Sequence, residues 1–140
     1  MGKSEAVALL KNVPLFEGLG KKELDAIYKA SKEVEFKAGQ VIVTEGESGA
    51  AFHLILDGTC KVSSAGRTRA TLTSGDYFGE MSLIDHHPRS ATVKAESDVR
   101  TLSLVSWSFM PLLDHMPQVA KKMLIVMSQR LRASEKLPTH

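Results

Sequence analysis

The stretch FGEMSLIDHHPRSATV, residues 78–93, contains groups that could bind an anion. Gly79 has no side chain, so another group can approach its backbone closely. Glu80, Met81 and Ser82 then begin a predicted helical turn. The first N–H groups of a helix lack acceptors within it, and such groups attract anions, most naturally a phosphate. The backbone after Gly79 therefore predicts a phosphate site.

Two charged side chains narrow the chemistry of this predicted site. The planar guanidinium of Arg89 can hold two phosphate oxygens at once, as a lysine cannot, and Ser90 adds a hydroxyl beside it. A carboxylate at Glu80 would repel a phosphate, so we expect it to accept a hydrogen bond from a neutral hydroxyl, such as that of a ribose. A nucleoside cyclic phosphate, which has one negative charge and a sugar hydroxyl, satisfies all of these groups.

The same residues also fit an interpretation without a ligand. An acid in the first turn of a helix is favourable by itself, because that end of the helix carries partial positive charge. Glu80 could then pair with Arg89 as an ordinary surface ion pair, which contributes ~0–1 kcal/mol. Spacing alone does not separate the two interpretations, because short motifs also occur by chance.

The middle of the chain predicts an antiparallel β-structure that must position this stretch. Glycines at 39, 46, 49, 58, 66, 75 and 79 separate short β-rich runs such as AFHLILDG. Turn residues at such short intervals predict hairpins in a sandwich or barrel. Within AFHLILDG, Phe52, Leu54 and Leu56 would share one face of a strand. No segment in this region offers a crossover helix, which argues against a parallel sheet.

Both ends of the chain predict helices. Apolar residues recur at helical spacing in KKELDAIYKAS near the N-terminus. SWSFMPLLDHM predicts a short helix that breaks or restarts at Pro111, and Pro117 can occupy the first turn of a longer helix. This last helix has a wide apolar stripe that needs a surface to cover. The stripe contains Val119, Ala120, Met123, Leu124, Val126, Met127 and Leu131.

We therefore predict one α+β domain over residues 1–140, because a chain of this length suits a single core. Its architecture would be an antiparallel β-roll, a jelly-roll-like barrel, flanked by N-terminal and C-terminal helices. The predicted boundaries place the N-terminal helices at 4–34, the β-roll at 35–105 and the C-terminal helices at 106–136.

Composition and histidine placement exclude several function classes. Lys and Arg number 18 against 16 acids, and a net charge of +2 attracts nucleic acid only weakly. No apolar run approaches the ~20 residues of a membrane helix, and the N-terminus lacks the apolar core of a signal peptide. The single cysteine, Cys60, excludes a cysteine zinc site and fits a reducing cytoplasm. His86 and His87 are adjacent and point apart, and no nucleophile–base pattern is evident. We expect no metal, no cofactor and no catalysis.

Residues 78–93 also closely resemble the phosphate-binding cassette of the cyclic-nucleotide-binding domain family. The family pattern is F-G-E-x-x-L followed by P-R-(A/S/T)-A-(T/S)-V. PLFEGL at 14–19 and AGQVIVTEGESGAAFHLILDGTCKV are similar to further segments of the family, so the resemblance covers roughly residues 12–135. The residues that match the cassette pattern are Phe78, Gly79, Glu80, Leu83, Pro88, Arg89, Ala91, Thr92 and Val93.

The resemblance implies a role for each residue of the predicted site. Backbone groups from Gly79 to Ser82 and the Arg89 guanidinium would hold the cyclic phosphate. Glu80 would take the ribose 2′-hydroxyl, and Ser90 would lie by the phosphate and the base. At the position of Ser90, alanine is usual in the cyclic AMP sites of the protein kinase and threonine in sites that favour cyclic GMP. A serine can accompany cyclic AMP, which we expect as the ligand, but it leaves the base preference open.

The resemblance also implies a lid, because the family closes its pocket with the C-terminal helix. In bacterial channel-type members an arginine of this helix stacks over the base, a contact that contributes ~0.5–2 kcal/mol. Arg130 shares the apolar face of Met123, Val126 and Met127. A solvated arginine near the end of a helix explains Arg130 equally well. Ligand capture would move the helices from Trp107 onward, and the chain would act as a regulatory sensor.

The alternative function is that of a degenerate family member, which keeps the fold and serves protein–protein interaction without a ligand. The intact Glu80 and Arg89 argue against this alternative. Some family members continue into a helix-turn-helix, but only a handful of residues follow Leu131, so we expect no nucleic-acid contact by this chain. An effector domain, a protein partner and a homodimer stay open.

Overall fold

The computed structural model describes residues 2–135, so the predicted end of the last helix at residue 136 lies outside the described part. The helices are α1 (Lys3–Lys11), α2 (Lys21–Ala30), α3 (Ser82–Asp85), α4 (Ser106–His115) and α5 (Pro117–Glu135), and a 3-10 turn spans Pro14–Phe16. The strands are β1 (Lys32–Phe36), β2 (Val41–Val43), β3 (Ala51–Asp57), β4 (Cys60–Ser64), β5 (Arg67–Leu72), β6 (Tyr77–Phe78), β7 (Thr92–Ala95) and β8 (Val99–Val105).

The predicted α+β roll is confirmed. Its strands form two four-stranded sheets, one in the order β1-β8-β3-β6 and the other in the order β2-β7-β4-β5. All pairings between these strands are antiparallel. The strands of residues 2–135 are divided between the two sheets and do not close into one barrel.

The first sheet is covered on both faces, which explains why the whole middle of β3 is buried. Phe52, Leu54 and Leu56 pack with the helices in the larger apolar core, as the predicted shared face requires. Ile55 points the other way and packs with residues of the second sheet, including Cys60 and Val93. Neither face of this strand is exposed to solvent. Its side chains alternate between the two apolar cores instead of alternating between a core and water.

The helical N-terminal part ends earlier than predicted. α2 stops at Ala30, and β1 begins at Lys32 rather than at residue 35. The side-chain hydroxyl of Ser31 donates to the carbonyl of Ile27 at 2.7 Å and closes the last turn. The KEVEF segment then pairs with β8, where Lys32 lies opposite Ser103. This partner is distant in sequence, so local spacing could not reveal where the strand starts.

The predicted break at Pro111 is wrong, because α4 continues through this proline from Ser106 to His115. A proline removes one backbone donor, but Phe109 is fully buried in the core and keeps this segment in place. The helix ends instead at Met116, whose backbone leaves the helical region immediately before Pro117. Pro117 is the first residue of α5, as predicted.

The predicted apolar stripe of α5 is only partly covered. Val119, Met123 and Val126 are buried, whereas Leu124 and Leu131 are 62% and 53% exposed. The docked side of the helix contacts the 3-10 turn and α4, and this surface is too narrow for the whole stripe. Within the described residues, no helix has the length and apolar character that crossing a membrane requires.

Candidate functional site

Six of the seven predicted site residues line one cavity of about 400 Å³. It lies between the end of β6, α3 and the loop that leads into β7. Its volume is within the range of small-ligand sites in proteins. The six residues are Gly79, Glu80, Met81, Ser82, Arg89 and Ser90.

The side chain of Arg89 is held at the inner wall of this cavity. Its guanidinium donates one hydrogen bond to the carbonyl of Ala51 at 2.7 Å and one to the hydroxyl of Ser82 at 3.3 Å. Its backbone is fixed as well, because its N–H donates to Glu47 and its carbonyl accepts from Gly46, both at 2.8 Å. The arginine is therefore positioned by the chain itself.

Two glycines make the space that Arg89 occupies. A Cβ atom on Gly49 would lie 2.6 Å from Nε of Arg89 and 2.7 Å from the hydroxyl oxygen of Ser82. A Cβ atom on Gly79 would collide with the guanidinium, and this glycine also has a φ of +83°, which other residues rarely adopt. The close approach predicted at Gly79 is thus made by Arg89.

Arg89 has no acidic partner in the described part of the chain. None of the ion pairs among residues 2–135 includes it, so the Glu80–Arg89 surface pair of the ligand-free interpretation is not formed. Partial burial lowers the pKa of Arg89 from its ordinary value, because the charged form loses hydration. A half-buried guanidinium that lines a cavity and has no carboxylate paired with it favours the binding of an anion.

Backbone donors surround the same cavity. The N–H groups of Glu80 and Met81 have no acceptor among residues 2–135, and neither do those of Ser90 and Ala91. The N–H of Ser82, predicted to be free, instead donates to the carbonyl of Gly79 at 3.1 Å. The free N–H groups therefore lie in two places within the cassette (residues 78–93). One pair immediately precedes α3 and the other immediately precedes β7.

Glu80 lines the cavity, and its side chain makes no hydrogen bond with the described residues. Burial raises the pKa of the neighbouring Tyr77, and the carboxylate of Glu80 raises it further. The guanidinium of Arg130 acts on the same phenol in the opposite direction. Tyr77 therefore lies near both the carboxylate of Glu80 and the guanidinium of Arg130.

The comparisons with known proteins agree with this geometry. The sequence model of the cyclic nucleotide-binding domain matches residues 33–115, which is more than half of the chain. The chain belongs to the cyclic nucleotide-binding domain family. The geometry and this match together describe a regulatory module for a cyclic nucleotide, in a family that is defined by binding and not by catalysis.

Two relatives and one solved structure illustrate the similarity. A cAMP-dependent protein kinase regulatory subunit of Yarrowia lipolytica is 36% identical over 115 residues, which cover 78% of this chain and 31% of that protein. A cyclic AMP receptor protein of Thermus thermophilus is 31% identical over 131 residues, 90% of this chain and 61% of that protein. The chain thus spans less than two thirds of either relative.

The structural match extends over nearly the whole chain. The N-terminal domain of a transcriptional regulator from Streptomyces coelicolor superposes with a TM-score of 0.84 at 29% identity. The match covers 91% of this chain and 93% of that one. Because residues 33–115 are a smaller share of the chain than this match covers, the shared fold extends into the flanking helical parts.

In this cyclic nucleotide-binding domain, Arg130 lies beside the cavity rather than inside it. It lines a groove of about 490 Å³ between the cassette and α5, together with Leu124, Met127 and Leu131. Glu80 and Met81 border both the cavity and this groove. The two spaces are therefore neighbours, and a ligand that projects from the first would enter the second.

His53 lies beneath the cassette and was not predicted as part of the site. It stacks on Phe78 with ring centroids 5.0 Å apart, and its Nδ1 is 2.7 Å from the hydroxyl oxygen of Ser103. Burial, together with the charge of Arg89, lowers the pKa of His53 to about 4. The ring is therefore neutral at neutral pH and adds no second positive charge to the site.

Sequence reasoning also missed the apolar wall and one backbone donor. Val43, Val62 and Val93 line the cavity from β2, β4 and β7. Strand alternation gives their inward direction, but the pairing of β7 between β2 and β4 decides that they meet at the cassette. The free N–H of Ala91 could have been suspected from its place beside Arg89 and Ser90.

Proposed function

We propose that this chain binds a cyclic nucleotide, with cyclic AMP preferred over cyclic GMP, and acts as a regulatory sensor through movement of its C-terminal helices. The observation that carries the proposal is the half-buried, unpaired guanidinium of Arg89 at the cavity wall. The kinase subunit and the receptor protein described above are both named for cyclic AMP, which supports the preferred ligand.

The phosphate would bind at the inner end of the cavity. There Arg89 can turn its remaining N–H donors toward a phosphate oxygen while it keeps its bond to Ala51. The free N–H groups of Glu80, Met81 and Ala91 would donate hydrogen bonds to the other oxygens of the phosphate. A monoanion suits this set, because one guanidinium supplies one full positive charge and the amides supply only partial charges.

The sugar and the base would occupy the outer part of the cavity. Glu80 would accept a hydrogen bond from the ribose 2′-hydroxyl, since its carboxylate has no partner within the described chain. The hydroxyl of Ser90 would lie near the base, with the aliphatic wall of Val62 opposite. Arg130 would stack on the purine from the neighbouring groove.

The regulatory step would be a movement of α4 and α5. The second half of α5 has few contacts, since the side chains of residues 128–134 are all exposed. A ligand shifts such a helix only if it binds the two arrangements with different affinity. Contact of the base with Arg130 would supply that difference. We propose that residues 1–140 act as one non-catalytic regulatory unit in the cytoplasm, which controls an effector domain or protein partner.

Calorimetric titration of the purified chain with cyclic AMP, cyclic GMP and 5′-AMP tests the proposal. We expect one binding site per chain, tighter binding of cyclic AMP than of cyclic GMP, and much weaker binding of 5′-AMP because its open phosphate carries more negative charge. Absence of binding of either cyclic nucleotide at millimolar concentration would support the degenerate interaction module instead.

A further inference from the structure

Helix α5 has a docked half and an uncovered half. The buried side chains of Val119, Met123 and Val126 all lie in its first ten residues. Val126 passes so close to the segment after the 3-10 turn that its Cγ2 would be 3.6 Å from a Cβ atom on Gly18. Beyond Val126, only Met127 is partly buried among residues 127–134. The docked half therefore determines where the rest of the helix points.

One ion pair attaches this docked half to the N-terminal helices. The ammonium of Lys122 donates to Oε1 of Glu23 at 2.7 Å, and the same oxygen accepts the N–H of Gly20 at 2.8 Å. The Glu23 side chain is 11% exposed, the lowest value for a carboxylate in the ion pairs of residues 2–135. The hydrogen bonds from Lys122 and then from Gly20 lower the pKa of Glu23. The carboxylate is therefore charged and fixed at neutral pH.

The position of Lys122 along α5 connects this ion pair to the cavity. Arg130 follows eight residues later, which is roughly 12 Å along the helix axis. An α-helix is stiff over this distance. A shift or rotation at Lys122 is thus transmitted to Arg130 and to the groove that it shares with Glu80 and Met81. The apolar contacts of Val119 and Met123 resist separation of the helix but are less directional than a hydrogen-bonded ion pair.

We propose that Lys122 is a positioning residue for ligand retention, whose ion pair with Glu23 fixes the register of α5 that places Arg130 beside the cassette. The inference rests on the proposed binding of a cyclic nucleotide. Neither Lys122 nor Glu23 lines the cavity or the groove, so their effect on the ligand acts through Arg130.

Release of a fluorescent cyclic AMP analogue, measured by stopped flow, tests this role. We expect Lys122→Met to release the analogue about 3–10 times faster with an association rate within about twofold of wild type, since a loosened lid acts mainly on dissociation. The matched control is Lys121→Met, the exposed neighbouring lysine, which should leave both rates unchanged. Glu23→Gln keeps an oxygen that accepts the N–H of Gly20 but loses the negative charge that pairs with Lys122. It should also accelerate release of the analogue.

The Arg130→Ala background separates positioning from a general loss of stability. If Lys122 acts through Arg130, adding Lys122→Met to Arg130→Ala should change the release rate little further. An equal acceleration in both backgrounds, or a wild-type release rate for both Lys122→Met and Glu23→Gln, would overturn the inference. Failure of the wild-type chain to bind the analogue would instead contradict the proposed function.

Discussion

The cassette and the second half of α5 border the same ligand space, but contacts within the chain fix only the cassette. Arg89 is held by the carbonyl of Ala51, the hydroxyl of Ser82 and two backbone bonds to residues 46–47. Arg130 is exposed and has no hydrogen bond or ion pair within the described residues. One arginine is therefore positioned before a ligand arrives, and the other depends on the helix that carries it.

This difference assigns the two regions different roles: the cassette determines ligand affinity, and the second half of α5 provides the regulatory movement. Groups that are prepositioned lose little conformational entropy when they bind, so the cassette should supply most of the binding free energy. A loosely held helix contributes less to affinity but can change its position when the base arrives. Removal of cassette groups should accordingly weaken binding more than removal of groups on α5.

Arg89→Ala should have the largest effect and weaken cyclic AMP binding by ~2–5 kcal/mol, because the phosphate would be buried without its full positive partner. Calorimetry measures this loss. Arg89→Lys should restore only part of the affinity, since a lysine lacks the planar fork. Arg69→Ala, which removes an exposed arginine of β5, is the matched control. Wild-type affinity in Arg89→Ala would contradict the claim that the cassette supplies most of the binding free energy.

Acid should destabilise the fold through His53, which lies under the cassette. Its pKa is about 4 in the folded chain, against an ordinary value of 6.5 for a solvated histidine, so the unfolded chain binds the proton more readily. The contribution of His53 leaves the free energy of unfolding unchanged well above pH 6.5. As the pH drops from 6.5 toward 4, this contribution lowers the free energy of unfolding by up to about 3 kcal/mol. Urea unfolding at several pH values measures this slope.

His53→Phe should flatten that part of the pH profile, although Ser103 then loses a hydrogen-bond partner at every pH. His115→Gln changes an exposed histidine and should leave the profile as in wild type. An unchanged slope in His53→Phe would show that the floor of the cassette is not the acid-sensitive element.

Glu80→Ala should weaken cyclic AMP binding by about 2 kcal/mol, a value typical of a hydrogen bond to a charged group. The 2′-deoxy analogue separates this contact from others. Wild type should lose a similar amount with the analogue, whereas Glu80→Ala should lose little more. Equal penalties for the analogue in both proteins would mean that Glu80 does not receive the ribose hydroxyl.

Arg130→Ala should have the smallest effect, about 1 kcal/mol, because a cation–π contact at an exposed site is modest. The loss should differ between cyclic AMP and cyclic GMP, since it depends on the base. Competition binding with both nucleotides measures it. A loss larger than that of Arg89→Ala would reverse the comparison between the two regions.

The sequence predicted the cassette because its chemistry lies within sixteen consecutive residues, 78–93. Glycine spacing likewise predicted the antiparallel roll, since turns are local features. Gly49 illustrates the limit of this reasoning. Its role is to leave space for Arg89, and that contact joins residues forty positions apart. Backbone hydrogen bonds between two loops that are distant in sequence, such as that from Arg89 to Glu47, bring the two together.

The helices show the same limit in another form. The periodicity of α5 predicted its apolar residues, but the surface that covers Val126 and leaves Leu131 exposed is built by the 3-10 turn and α4. The start of β1 at Lys32 depends on its pairing with β8, and the continuation of α4 through Pro111 depends on the buried Phe109. Each of these features is decided by tertiary packing, which can override local propensity.

The most direct test of the account is an NMR titration of the isotope-labelled chain with cyclic AMP, in which each backbone amide is followed. The cyclic phosphate should give the largest shifts to the four free N–H groups of the cassette, those of Glu80, Met81, Ser90 and Ala91. Saturable binding that leaves these four amides unshifted and perturbs another part of the chain would contradict the account.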